Sequence, residues 1–343
     1  MRLTENYGFE VPQANDFVDP DQYGGNFDAI DGLLKSAGDH ANDKNLHFDE
    51  QNGALLEMRR IIGMLYGDPS VPGADLSQVF AAEIGGAPFS GDFWAWIKAR
   101  VTAGNFAGLY VGDFIPFTAG GNAIKAEIAG INTYKRYSEI GNHIDFISRD
   151  CWPDTHVWNK INYNNGLAGT PCPWLVSDLY AWLNSLAMNV PNGTGADPAT
   201  IAVDYTTSGV LDKLPAALRN VIVQKRVRLP QRYTAGSLLI DDNNWLWQDA
   251  GKLWVPSEFE VYGCNVWGSG VGYSLGGFQQ YPIFAHNMRR SKNAGEGGSN
   301  AAWWLLSARG GSSTSACIIS GGTASQNYAS TTTICAPLCF RIA

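Results

Sequence analysis

Between Arg309 and Arg341 the chain carries no charged residue. The stretch reads GGSSTSACIISGGTASQNYASTTTICAPLCF, in which small, hydroxylated and amide side chains are interrupted by single apolar ones. It is bracketed by Trp303, Trp304, Leu305 and Leu306 on one side and by the alternating Leu338, Phe340 and Ile342 on the other. Large apolar side chains at both ends have to be buried, and a period of two puts alternate residues on one face of a strand. A disordered tail is not tied down at both ends in this way. The segment therefore reads as the closing part of a compact β-rich domain.

Composition sets the outer limits. The 343 residues suffice for two or three domains, and 45% apolar with 12% aromatic residues is a core-forming mixture. A high glycine count of 39 with only 16% charged residues points to many turns. The net charge of −8 argues against nucleic acid or an anionic membrane as the main partner, since both need a basic face. Two short basic clusters, Lys225-Arg226-Arg228 and Arg289-Arg290-Lys292, read as solvated surface. The opening MRLTENYGFE has no apolar h-region, and no stretch approaches the roughly 18 residues a membrane span needs. Synthesis in the cytoplasm without membrane insertion is expected. Six cysteines (Cys151, Cys172, Cys264, Cys317, Cys335, Cys339) with no CxxC pair read as reduced core residues, and no metal site is expected.

The expected organisation is α+β. Residues 1–66 form an N-terminal extended and helical segment, 67–90 a Pro/Gly/Ser linker, 91–250 an α+β domain, and 251–343 the closing domain; 91–343 is also readable as one continuous unit. Helices are expected in NFDAIDGLLK, capped by Asn26, and around Leu55, Met58, Ile62 and Leu65, whose spacing allows a brief coiled-coil seam. Further helices are expected after Asp92, where Phe93, Trp94, Ile97 and Val101 face inward and Gly104 is the stop, after Ser177, and around Pro215. Short strands are expected in LYVGDFIPF, AIKAEIAGI, NHIDFIS, LWVPSEFEVYG, QQYPIF, AAWWLLS, SACIIS and APLCFRI.

Enzyme constellations are weak. The Gly-rich run at 268–277 lacks the context of a phosphate cradle. His143, Asp145, His156, Asp150 and Asp154 lie close enough in sequence to imagine an acid–base cluster, but structural hydrogen bonding is their expected role. Cys317 and Cys335 have no neighbouring histidine or helix N-terminus in sequence to activate them.

Two stretches together carry a resemblance. NYGFEVPQANDFVDPDQYGGNFDAIDGLLK resembles the opening of phage and prophage tail-fibre-like proteins. From about Asp92 onward, FWAWIKARVTAGNFAGLYVGDFI, IAGINTYKRY, HIDFISRDCW, VWNKINYNNG, SDLYAWLN and the WWLLS…AP-x-C-F-x-I frame are similar to a phage domain. Its closing part looks like the C-type-lectin-like fold of formylglycine-generating enzymes and of the major tropism determinant. The resemblance implies a homotrimeric virion protein, made in the bacterial host, that binds other virion proteins through its N-terminal segment and a host-surface receptor through its closing domain. It further implies that diversity-generating retroelements rewrite exposed positions there. The residue types that adenine-directed mutagenesis favours crowd this tail, at Ser312, Ser313, Ser315, Ile318, Ser320, Asn327, Tyr328, Thr331 and Thr332, and Gln326, outside that codon logic, completes the expected receptor-binding set. Small polar residues and tyrosine also make adaptable binding surfaces. No catalytic residue or cofactor is expected, and because the tail holds no Asp or Glu, neither is calcium there. The competing expectation is a structural virion protein whose Ser/Thr-rich region is only a solvated edge.

Overall fold

The structure, a computed structural model, describes residues 2–3, 10–11, 73–135, 141–167, 169–194, 198–235, 238–268, 279–285 and 287–343. The chain divides into two compact units, Met1–Ile62 and Gly63–Ala343. In the first, β1 (Arg2–Leu3) pairs antiparallel with β2 (Glu10–Val11). The helices expected behind Asn26 and around Leu55–Leu65 lie outside the described residues. The second unit is mixed α+β with short, mostly antiparallel strands.

Its centre is a six-stranded sheet. β3 (Phe114–Ala119), β4 (Asn122–Ile131) and β5 (Ile144–Cys151) run as a meander, and β17 (Pro337–Ile342) adds antiparallel to β5. The far edge of β17 is completed by β8 (Ile222–Val223) and β11 (Leu253–Trp254). All of β17 is buried, which accounts for the closing apolar alternation. Residues 91–343 are thus one unit, because the strand nearest the end of this sequence pairs with one from its first half.

Against this sheet packs α3 (Phe93–Ala103). Asp92 caps it by accepting from Ala95 N at 3.0 Å, and Gly104 at φ 68° ends it in the left-handed conformation. Trp94 meets Phe117 and Phe340 edge-on, and Phe340 stacks on Phe146 at 5.1 Å. Trp96 and Arg100 of α3 are buried as well, by a segment expected to be a linker. In 73–90 the chain forms α1 (Leu76–Val79) and α2 (Ala81–Gly85), with Leu76 and Ile84 in the core. Glu83 accepts from the Trp96 indole at 2.9 Å and from Arg100 at 3.2 Å. The small residues here serve close approach: a Cβ on Gly73 would fall 1.7 Å from the Gly112 carbonyl oxygen.

α4 (Asp178–Leu183) begins at Ser177 as expected, and a hairpin of β6 (Ala187–Pro191) and β7 (Thr200–Asp204) follows. Then come α5 (Val210–Lys213), α6 (Ala216–Val221) behind Pro215, and a long hairpin of β9 (Arg226–Ala235) and β10 (Leu238–Asp249). LWVPSEFEVYG holds only the two-residue β11 before α7 (Glu258–Tyr262). Ser257 and Glu260 form a reciprocal capping box, so the S-x-x-E spacing overrides the strand-like pattern. QQYPIF is likewise a 3-10 turn at Pro282–Ala285. The short pair β12 (Lys292–Asn293) and β13 (Asn300–Ala301) precedes a three-stranded sheet of β14 (Trp303–Ala308), β15 (Ser315–Ser320) and β16 (Thr323–Tyr328).

The basic clusters are not simply solvated surface: Lys225 and Lys292 are buried. Lys292 donates to the carbonyls of Ser148 (2.6 Å) and Arg149 (3.0 Å). Lys225 forms an ion pair with Glu260 and sits over the rings of Trp254, Tyr281 and Tyr134 at 4.9, 5.3 and 5.4 Å. Tyr134 donates to the same Glu260 carboxylate at 2.5 Å, and the Ser257 amide to its other oxygen at 2.9 Å. Beside this pair, Arg341 of β17 grips Asp145 of β5 through two bonds of 2.7 and 2.8 Å, and Tyr281 adds a third at 2.9 Å. Two buried cations thus meet two buried carboxylates within a shell of aromatic rings and hydroxyls.

Asp145 is held down at about 2 although burial alone would raise it, because the Arg341 guanidinium favours its charged form. A carboxyl depressed on folding contributes stability above its unfolded pKa, near 3.8, and that contribution is lost as pH falls toward 2. Acid titration of unfolding should show about 2 kcal/mol of this loss between pH 4 and pH 2. Asp145→Asn should flatten that part of the profile and, by leaving Arg341 without its counter-charge, cost about 3–5 kcal/mol at neutral pH. An unchanged acid slope in the variant would show that the pair does not govern it.

Candidate ligand-binding face

The uncharged stretch forms most of the three-stranded sheet. β15 lies in the middle, β14 on one side and β16 on the open edge. β15 and β16 are joined by Gly321 and Gly322 at φ 56° and 83°, with Ser320 opposite Thr323. Two successive positive φ values describe the two-residue hairpin turn that Gly-Gly favours. The Tyr262 hydroxyl donates to the Gly322 carbonyl at 3.1 Å and fixes the turn to α7.

The register sorts the ten candidate residues. Ser313, Ser320, Tyr328 and Thr332 are exposed, Tyr328 at 59%, and Ser312, Gln326, Asn327 and Thr331 are half-buried. Ser315 and Ile318 do not belong to the face. They lie on the central strand, which β14, β16 and the core cover on both sides, and are buried at 2% and 4%. Tyr328 pairs with Ser315 and Asn327 with Ala316, so neighbouring tyrosine and asparagine side chains leave opposite sides of the hairpin. Asn327 turns back on its own loop, its Oδ1 accepting from the Thr331 hydroxyl at 2.9 Å.

What holds the surface loop between β14 and β15 comes from elsewhere in the chain. Asn164 Nδ2 donates to the main-chain carbonyls of Ser312 (2.8 Å) and Arg309 (3.4 Å), and also to that of Ser315. The Arg232 guanidinium donates to the carbonyls of Arg309 and Ser312. Both clamping side chains are buried. The following loop is tied in the same manner: the amides of Trp158 and Asn159 both donate to the Ala329 carbonyl at 2.9 Å, and the His156 amide to that of Ile334 at 3.0 Å. Asn162 accepts from the Ser330 amide and hydroxyl at 3.2 and 2.7 Å. Apart from that hydroxyl, the clamps address backbone groups, which every residue type supplies.

Beside β16 stands a second support. The buried Glu258 carboxylate accepts from the amides of Val266 (3.0 Å), Trp267 (3.0 Å) and Gly268 (2.7 Å). This aims Trp267 so that its indole N–H reaches the Ala324 carbonyl on the edge strand at 3.3 Å, with the Arg309 guanidinium 5.4 Å from its ring. Val266 and Trp267 are 51% and 40% exposed, adding apolar surface next to a polar strand. The remainder of the Gly-rich run lies outside the described residues. Of these supports, Asn164 sits in an Asn-Asn-Gly turn signal, whereas Arg232 and Glu258 carry no local mark of their partners.

The titratable residues that could suggest an acid–base cluster are dispersed. The amide of Tyr134 donates to His143 Nε2, and His143 Nδ1 bonds the Gly141 carbonyl. His156 pairs with Asp178 at 2.8 Å, stacked on Trp182. Asp150 accepts from the Asn293 amide and Asp154 from the Trp152 indole. Burial and the Glu258 carboxylate push the Cys317 thiol well up. Among the described residues, no three His, Cys, Asp or Glu side chains are grouped to hold a metal ion, and no helix is long and apolar enough to cross a membrane.

Fold and face together define a mixed α+β protein whose uncharged hairpin is mounted on side-chain clamps. Residues 150–340 match the model of a domain of unknown function, DUF6273, over more than half of the chain, and the chain belongs to that family. The match takes in both clamps and the whole hairpin. No curated protein and no solved structure matches the chain.

The clamps and the face make separable predictions for chemical denaturation. Asn164→Ala should cost about 2–3 kcal/mol, because it deserts buried carbonyls. Ser313→Tyr or Thr332→Ala should stay within about 0.5 kcal/mol of the parent. Comparable losses from all three would mean that the loop side chains themselves carry the fold.

Proposed function

We propose that this chain is a phage virion protein that recognises a host-surface receptor through its uncharged C-terminal face. The reading includes a C-type-lectin-like closing domain of the kind found in tropism-determinant proteins, and a virion-attaching N-terminal segment. It rests on the resemblance of the two quoted stretches to tail-fibre-like proteins. The observation that supports it most is the clamping of the 309–315 loop by Asn164 and Arg232 through main-chain carbonyls. Such a mounting lets exposed side chains be exchanged without loss of the backbone path, which is what a rewritten receptor surface requires. The exposed set is then Ser313, Ser320, Tyr328 and Thr332, with Ser312, Gln326, Asn327 and Thr331 half-buried beside them, and it wraps the hairpin edge, since Tyr328 leaves the side opposite Ser320 and Asn327. The face contains no carboxylate to bind a cation, so recognition proceeds by hydrogen bonds and aromatic contact. In a homotrimer three such faces would act together, and modest single-site affinity would suffice.

Adsorption of particles to host cells is the test. Replacing Tyr328, Asn327 and Thr331 together by Ala should abolish adsorption, while the unfolding midpoint of the purified protein moves by no more than about 3 °C. If adsorption persists and particle assembly fails instead, the chain is a structural virion component and the receptor reading is wrong.

A further inference from the structure

Cys151 and Cys335 stand at the two ends of the matched family region, yet the fold brings them together. Cys151 is the last residue of β5, directly opposite Pro337 on β17. Cys335 lies two residues before Pro337, where same-face neighbours on paired strands approach diagonally. The Trp152 amide donates to the Ala336 carbonyl at 2.8 Å and locks the crossing of the two segments between the cysteines. On the far side Cys335 is bridged to Trp303, and Cys151 to Ala294. Counted from the Cys151–Pro337 pairing, the two side chains leave the same side of this crossing. Both residues are 1% exposed. Cys172, Cys317 and Cys339 are also buried, and Cys264 is exposed.

We propose that Cys151 and Cys335 are a dithiol that closes to a disulfide when the protein meets an oxidising environment, clipping the start of β17 to the end of β5. The oxidant is a small-molecule disulfide such as oxidised glutathione. The Cys335 thiol loses its proton and its sulfur attacks one sulfur of the oxidant, expelling a thiolate and leaving a mixed disulfide. Cys151 then loses its proton and displaces the second small thiolate from Cys335. The protein gives up two protons and two electrons, and the oxidant takes up both and is recovered as two thiols. The neighbouring Cys151 lowers the Cys335 thiol, which makes it the attacking partner, while burial holds Cys151 well above the ordinary range until it resolves the intermediate. Access comes from opening of the adjacent surface loop, where Thr332 and Thr333 are exposed. The bond would close a loop spanning most of the family region, a geometry in which cross-links restrain the unfolded chain strongly.

The test uses the full chain, folded, incubated with oxidised glutathione at about pH 8, near the ordinary thiol pKa, and digested without reduction for mass spectrometry. The expected product is a Cys151–Cys335 cross-linked peptide, absent from Cys335→Ser and retained in Cys317→Ser. The parent's Tm should rise by about 5 °C on oxidation and fall back on reduction. Exposed Cys264 reports that the oxidant has acted. Modification of Cys264 with Cys151 and Cys335 still free would overturn the proposal. So would stable glutathione adducts on either, or pairing of either with Cys339.

Discussion

The central sheet depends on two buried ion pairs set side by side. Asp145 with Arg341 and Glu260 with Lys225 place four charges where almost no water reaches. Desolvating them costs several kcal/mol per ion, offset only if each charge finds its partner and its remaining hydrogen bonds. Those bonds come from Tyr134, Tyr281 and Ser257, and the aromatic faces around Lys225 add cation–π attraction. The pairing also dictates geometry. Arg341 must lie opposite Asp145, which fixes the register of β17 on β5. A slip of β17 by one residue would turn Arg341 to the other face and leave Asp145 buried without its counter-charge. Lys225 and Glu260 must meet in the same chamber, which pulls α7 and the base of the β9–β10 hairpin onto the sheet.

The uncharged hairpin face is arranged on the opposite logic. Its frame is sequence-demanding: Trp303 and Trp304 are fully buried and each has an indole N–H partner, at the Arg290 and His156 carbonyls respectively. Its surface is undemanding, because Asn164, Arg232 and the amides of Trp158 and Asn159 grip carbonyl oxygens that no substitution removes. Glu258 does the same for the loop beside it by collecting amides. Specificity of fold and freedom of surface are thereby assigned to different atoms.

Much of this frame was legible in the sequence. The cap at Ser177, the inward face and Gly104 stop of the helix after Asp92, and the buried alternation of β17 follow from local signals with one dominant physical meaning. The misreadings have a common cause. Gly73, Leu76 and Ile84 sit in a stretch whose composition matches a flexible linker, and only tertiary contact with Trp96 and Arg100 shows that it is packed. Lys225 and Lys292 belong to basic clusters that solvation would suit, but their partners Glu260, Ser148 and Arg149 come from distant segments. Within the face, polar composition marks an uncharged stretch of sequence. It could not separate Ser315 and Ile318 from Ser313 and Ser320, since burial there depends on which strand lies in the middle of the sheet. Arg232 was invisible for the same reason: its partners are carbonyls roughly eighty residues away.

The central claim is that demanding frame and exchangeable surface are assigned to different residues, and natural variation reads it most directly. Sequencing this gene and its flanking DNA from many isolates should show substitutions concentrated at Ser313, Ser320, Tyr328 and Thr332, at adenine-rich codons, with a near-repeat and a reverse transcriptase beside it. Asn164, Arg232, Ser315 and Ile318 should stay fixed. Substitutions spread evenly over frame and face, or an invariant face with no template nearby, would contradict the account.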